Sequence, residues 1–287
     1  MTSERLRTEG FEKVDLPDAE RAQTWFNISF DVDAEALWLT LTRGKDRPAL
    51  FSQGLYGLNV GMPRILQMLD DLRIRATFFV PGLVADRHPA LVPELVAAGH
   101  EIASHAYTHL PLSAFQTRDA EADELKRARD VLESQSGRPV LGFGAPVCDV
   151  SVNTLSILTE QGILYDRSFL DDDWPYLFRT ESGRDLVELP ISWVLDDFAF
   201  FGHNLYPQLG WGIQSPEHVA DIWHGELQTF ARDGGFGCLV LHPEVIGRRP
   251  RMTMLKEVLC RFVAAGKFFT CEEIAADVKR RMVESVR

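Results

Sequence analysis

The amino-acid sequence predicts an α/β protein built on a mostly parallel sheet, with closure into a barrel as the expected form. Three observations carry this. Apolar segments of strand length alternate with segments of helical period along nearly the whole chain. Several strand segments run directly into Pro-Gly, Ala-Pro or His-Pro steps, which stop a strand and start a turn or helix. The length, 287 residues, suits one barrel of ordinary size.

Residues 1–24 are polar and charged, contain Pro17 and lack periodicity. They read as an N-terminal arm, with 25–287 as a single domain. In the first strand Phe26, Ile28 and Phe30 alternate with Asn27, Ser29 and Asp31, and the same period puts Asp33 beside Asp31. Residues 36–60, with Trp38, Phe51, Tyr56 and several glycines, read as a long connection. A helix is predicted from Gly61, with Pro63 in its first turn and Ile65, Leu66, Leu69 and Leu72 at helical spacing. Residues 73–80 form the second strand. A helix opened by His88-Pro89 runs to Ala98, and 101–105 is the third strand. The helix over 117–134 buries Ala120, Leu125, Ala128, Val131 and Leu132 and turns its charges to solvent. Further strands are predicted at 140–143, 164–166, 186–191 and 237–242, and helices at 151–161, 215–232, 250–265 and 271–284.

Apolar residues make up 45% and charged residues 25%, the profile of a soluble globular chain. A net charge of −12 argues against nucleic acid and anionic membranes as partners, since basic runs such as Arg248-Arg249-Pro250-Arg251 are short. Cys148, Cys238, Cys260 and Cys271 match no disulfide or zinc framework and read as reduced thiols. No apolar run is long enough to span a bilayer, and the N-terminus lacks an apolar leader segment. A cytoplasmic location is therefore expected.

Three features carry chemistry. Asp31 and Asp33 end a strand side by side, and two such acids repel unless a cation lies near them. A metal would leave the second acid free as a base; helix capping is the structural alternative. His105 and His109 are spaced by four, which on a helical turn puts both imidazoles on one face, as a metal site needs. A capping or core pair is the alternative. His242 ends an apolar strand, either as a catalyst or as a hydrogen-bonded structural residue. Asp31, Asp33, His105 and His242 fall at predicted strand C-termini, where barrels gather their chemistry.

Their order along the chain is SFDVDAE (29–35), SHAYTH (104–109), GFGAP (142–146) and LVLHP (239–243). Taken together these resemble the NodB-like polysaccharide deacetylase superfamily, carbohydrate esterase family 4, over residues 25–275. GLNVGMPRIL, ATFFVPG and DDDWPY point to the branch holding peptidoglycan deacetylase-like and cyclic imide hydrolase-like proteins. The resemblance implies a distorted, incomplete (β/α) barrel. It implies a divalent metal held by Asp33, His105 and His109, with Asp31 as base and His242 as acid, and it suggests a homotetramer. One carboxylate and two neutral imidazoles suit zinc and leave a position open for water.

Three departures matter. The acids are spaced as Asp-Val-Asp where the common pattern has two adjacent Asp. Gly144 stands where secreted deacetylases carry the Arg that orients the base. The third departure is the missing leader. A pocket is expected among Trp38, Tyr107, Ala145, Pro146 and Trp174, with Trp193, Phe198, Phe200, Phe201 and Trp211 as further aromatics near the mouth. The leading expectation is hydrolysis of a small amide or cyclic imide. The alternative is N-deacetylation of a sugar, and the third reading is a non-catalytic ligand-binding protein on the same scaffold.

Overall fold

Strand β2 (Thr24–Asp31) shows how the sheet is made. Phe26, Ile28 and Phe30 enter the main apolar cluster, while Asn27 and Ser29 bond to Thr77, Cys238 and Arg167 on the opposite face. The computed structural model describes residues 11–180, 184–205, 208–209, 212–263 and 267–284.

The order along the chain is β1 (Phe11–Asp15), β2, α1 (Ala34–Leu41), α2 (Pro48–Tyr56), α3 (Met62–Leu72), β3 (Thr77–Val80), α4 (Gly82–Arg87), α5 (Leu91–Ala97), β4 (Glu101–Ser104), α6 (Arg118–Ser136), β5 (Gly142–Phe143), α7 (Thr154–Glu160) and β6 (Tyr165–Asp166). There follow β7 (Tyr176–Thr180), β8 (Leu186–Glu188), α8 (Asp197–Phe201), the small pair β9 (Asn204–Leu205) and β10 (Gln208–Leu209), α9 (Pro216–Asp233), β11 (Gly235–Leu241), α10 (Pro243–Ile246), α11 (Arg249–Val263) and α12 (Cys271–Glu284). The main sheet runs β1-β7-β8-β6-β5-β4-β3-β2-β11. It is parallel from β11 to β8 and antiparallel only at β8-β7-β1.

β1 and β11 do not pair, so the barrel is incomplete. The sheet nonetheless curls. Phe236 N–H donates to the Asp173 carbonyl at 2.9 Å, and Asp196 bridges Val240. These links draw the segments after β6 and β8 back onto β11, leaving one mouth where β2, β4, β5, β6 and β11 end.

Four expectations are corrected. Residues 11–15 of the expected arm are a strand of the sheet, paired with β7, a strand the sequence did not suggest; residues 1–10 lie outside those described. The expected connection over 36–60 is largely helical, passing through a π-helical turn at Gly57–Gly61 into α3. Its glycines serve close packing rather than turns: a Cβ on Gly54 would lie 2.2 Å from the Ala34 carbonyl oxygen, and one on Gly61 2.3 Å from that of Pro243. The helix expected from His88-Pro89 to Ala98 begins only at Leu91, as α5, and α4 is a separate, unexpected helix before it. Glu121 and Glu124 of α6 are buried, not solvated.

Candidate active site

Asp31 ends β2 and Asp33 stands at the N-cap of α1, yet the Asp33 carboxylate makes no cap bond. One of its oxygens, buried and without a hydrogen bond, faces two imidazoles: His109 Nε2 at 3.2 Å and His105 Nε2 at 3.5 Å. The capping alternative therefore fails, and three donors converge within 4.8 Å of one another.

The two histidines do not reach this point on a helix. Residues 105–109 form a loop in which Ala106 and His109 have positive φ, 57° and 62°. Glu124 of α6 anchors the loop, accepting from the backbone N–H of Tyr107 and Thr108 at 3.1 and 2.6 Å. Thr40 of α1 donates to the His109 carbonyl at 3.3 Å. His105 Nδ1 meets the Gly144 carbonyl at 2.7 Å. A carbonyl only accepts, so Nδ1 carries the proton and Nε2 presents its lone pair to the centre. Burial pushes the His105 pKa down to about 4, keeping it neutral as a ligand must be. A buried, unbonded carboxylate oxygen beside two imidazoles, one of them held neutral, is the donor set a divalent cation requires, so the residues fit the metal.

Two residues unforeseen in the sequence complete the site. Arg167, the residue after β6, donates to Asp31 Oδ1 at 2.6 Å and to Ser29 Oγ at 3.3 Å, and its guanidinium lies 3.9 Å above the Phe79 ring. It occupies the space that Gly144 leaves open: a Cβ on Gly144 would lie 3.3 Å from Arg167 Nη2. Burial opposes ionisation of Asp31, but Arg167, with His105 and His242, outweighs it and holds the carboxyl below its ordinary range. Asp197, at the start of α8, meets His242 Nδ1 at 2.7 Å and accepts from its backbone N–H at 3.1 Å. Burial pulls the His242 pKa down, yet Asp197 and then Asp196 hold it well above its ordinary value. The signal for Arg167 was its position directly after a predicted strand at the same mouth. Asp197 had none beyond a charged pair before an aromatic run.

A cavity of about 350 Å³ opens over these groups. Its walls are Leu37, Leu41, Val147, Ile191, Trp193 and Phe198, with Ala145 and Cys148. Of the five expected pocket residues only Ala145 belongs to it, joined by Trp193 and Phe198 of the further aromatics expected near the mouth. Pro146 is buried and does not line the cavity. Trp38 lies on the far side of α1, facing a second cavity. Tyr107 points away, bonding Asp86 and Arg127 at 2.8 and 2.7 Å. Trp174 donates to the Arg21 carbonyl at 2.9 Å and takes no part. Phe200 and Phe201 pack with the main apolar cluster, and Trp211 lies outside the described residues. Val147, in the wall, has φ 51° and ψ 26°, a costly conformation for a β-branched residue.

Fold and site together define a hydrolase with a metal-type donor set at the mouth of an incomplete barrel. The profile of the polysaccharide deacetylase family matches residues 36–165. A crystal structure from Mycobacterium smegmatis, described as a candidate polysaccharide deacetylase, superposes with a TM-score of 0.86 at 35% identity, covering 94% of each chain. A peptidoglycan deacetylase of Helicobacter pylori is 27% identical, covering 88% of this chain and 94% of that one. An allantoinase structure, Puue, shares the fold with a TM-score of 0.77 at 21% identity, covering 91% of this chain and 93% of that one. The chain belongs to the polysaccharide deacetylase family, metal-dependent hydrolases of C–N bonds. Among the described residues no helix is long and apolar enough to cross a membrane.

Proposed function

We propose that the chain is a metal-dependent N-deacetylase that cleaves an acetamido C–N bond to an amine and acetate. The observation that carries this is a base and an acid flanking the three-donor centre, each charged by its own buried partner: Asp31 by Arg167 and His242 by Asp197. Asp33, His105 and His109 would hold the cation, with zinc the ion their donor types favour. A bound divalent ion supplies Lewis acidity, polarising the carbonyl and lowering the pKa of water.

The protein's own groups then divide the proton work. Asp31, kept as a carboxylate by Arg167, takes the proton of the attacking water. His242, kept as imidazolium by Asp197, gives its proton to the departing nitrogen, without which an amide nitrogen leaves poorly. Ligand binding alone would need neither pair, which speaks against the non-catalytic reading. The likeness to the Helicobacter pylori peptidoglycan deacetylase along nearly the whole chain supports an acetylated amine as substrate. A second reading, opening of a small cyclic imide by the same steps, draws support from the apolar walls of the cavity, which suit a small flat ring.

The test is turnover by zinc-loaded protein on N-acetylglucosamine oligomers beside succinimide, glutarimide and phthalimide, with Asp31→Ala as control. Acetate release that the substitution abolishes is the expected result. Imide opening with inert sugars would replace this reading by the second, and inactivity on every compound would overturn both.

A further inference from the structure

Behind Phe198 lies a second cavity of about 210 Å³, separate from the catalytic one but sharing that ring as a wall. It is enclosed by α1, α2, α8, α10 and α11. Two of its side chains are buried and lack a protein partner among the described residues. Both carboxylate oxygens of Glu244 are without a hydrogen bond although the residue is only 5% exposed, and so is Trp38 Nε1, at 3%. Leaving such groups buried and unbonded costs about 1–3 kcal/mol each, so a fold that retains them points to a partner from outside.

The surroundings say what that partner must offer. Trp38 Nε1 can only donate. Arg248 and Arg251 also line the cavity and can only donate. Arg251 gives one N–H to the Val245 carbonyl at 2.7 Å, and Arg248 stacks 3.6 Å over Tyr56; neither has a carboxylate within ion-pair distance among the described residues. Glu244 alone supplies a carboxylate. Its room comes from the π-helical turn, because a Cβ on Gly57 would lie 3.0 Å from Glu244 Oε2. Turns of this kind occur often at functional sites. Three donor side chains and a lone carboxylate in one cavity match a molecule that carries both a carboxylate and an ammonium. The volume equals roughly seven waters at about 30 Å³ each, which admits a small amino acid.

We propose that this cavity is a second binding site, for a small amino carboxylic acid, with Glu244 facing its ammonium and Trp38 Nε1 and Arg248 facing its carboxylate. The site is independent of the deacetylase reading, and its test uses no turnover.

The experiment measures thermal stability of the full chain with each standard L-amino acid, β-alanine and 4-aminobutanoate, then titrates the best by calorimetry. Acetate and methylammonium serve as half-probes. A ligand of the native state raises Tm progressively with concentration. The expected result is such a rise for one or more amino acids and not for the half-probes, weakened about tenfold or more by Trp38→Phe and by Glu244→Gln, as loss of one hydrogen bond to a charged group implies. Glu244→Gln keeps the shape of the side chain, and Trp38→Phe keeps an aromatic ring while removing the N–H. Binding should persist in Asp31→Asn, which alters only the catalytic cavity. No rise with any amino acid, a rise undiminished in both cavity variants, an equal rise with the half-probes, or binding lost in Asp31→Asn alone would each overturn the proposal.

Discussion

Two buried ion pairs face each other across the mouth, and they are opposite in design. At Asp31–Arg167 a permanent cation fixes an acid in its charged, proton-accepting form, at 2.6 Å. At His242–Asp197 a carboxylate fixes an imidazole in its charged, proton-donating form, at 2.7 Å. Both reactive groups lie at a strand end and both are buried, so position alone would not tell base from acid. The identity of the buried partner assigns the roles.

The comparison breaks most completely if a reactive group goes. Asp31→Asn should lower kcat by about 10²- to 10⁴-fold, the usual worth of a positioned base, while bound metal, measured by elemental analysis, stays unchanged. Next comes the partner that cannot titrate. Arg167→Met strands the Asp31 carboxylate, so denaturant unfolding should show a loss of about 3–5 kcal/mol, with the acid limb of the activity profile moved to higher pH. An unchanged acid limb would mean that Arg167 does not set the charge of Asp31.

Asp197→Asn acts on the other side and with the other sign. His242 is active when protonated and its pKa is held high by Asp197; losing that carboxylate lowers it. The alkaline limb should therefore move to lower pH, and once it has passed below pH 8 the rate there should fall about tenfold for every further step of one in pH. If both substitutions moved the same limb, the division of roles would be wrong.

A histidine outside the site sharpens the contrast. His100 accepts from Ala76 N–H at 3.2 Å and has no anion to hold its charge; burial, with Arg75, pushes its pKa down to about 4. The unfolded chain takes up the proton near pH 6.5 and the native site only near 4, so stability is complete above about 6.5 and is lost as pH falls toward 4. After allowance for solvent screening, about 2 kcal/mol is at stake. His100→Asn should flatten that acid-side decline in chemical unfolding. The smallest effect is expected at Val147, where Val147→Gly relieves a left-handed backbone and should raise stability by about 1 kcal/mol in the same assay.

The sequence exposes half of this arrangement. Asp31, Asp33, His105, His109 and His242 stand in short motifs at strand ends, where alternation and punctuation mark them. Their partners do not: Arg167 lies 136 residues from Asp31, and Asp197 lies 45 residues before His242. Pairing across such distances depends on sheet order, which local periodicity does not encode. The parallel strands were legible because each is a short apolar run. β1 and β7 were not, being partly polar strands on an antiparallel edge. The helices around Gly54 and Gly57 were hidden for another reason. Glycine marks turns in a sequence, whereas here it admits a neighbouring backbone, a role visible only once the neighbour is in place.

The empty side of Gly144 has a consequence for descent. A Cβ there would press within 3.0 Å of the Phe79 ring and 3.3 Å of the Arg167 guanidinium, so a long side chain at 144 and Arg167 cannot share that space. Positions 144 and 167 directly follow the adjacent strands β5 and β6 and are thus alternative places for one guanidinium, so an arginine gained at 144 would require a small residue at 167.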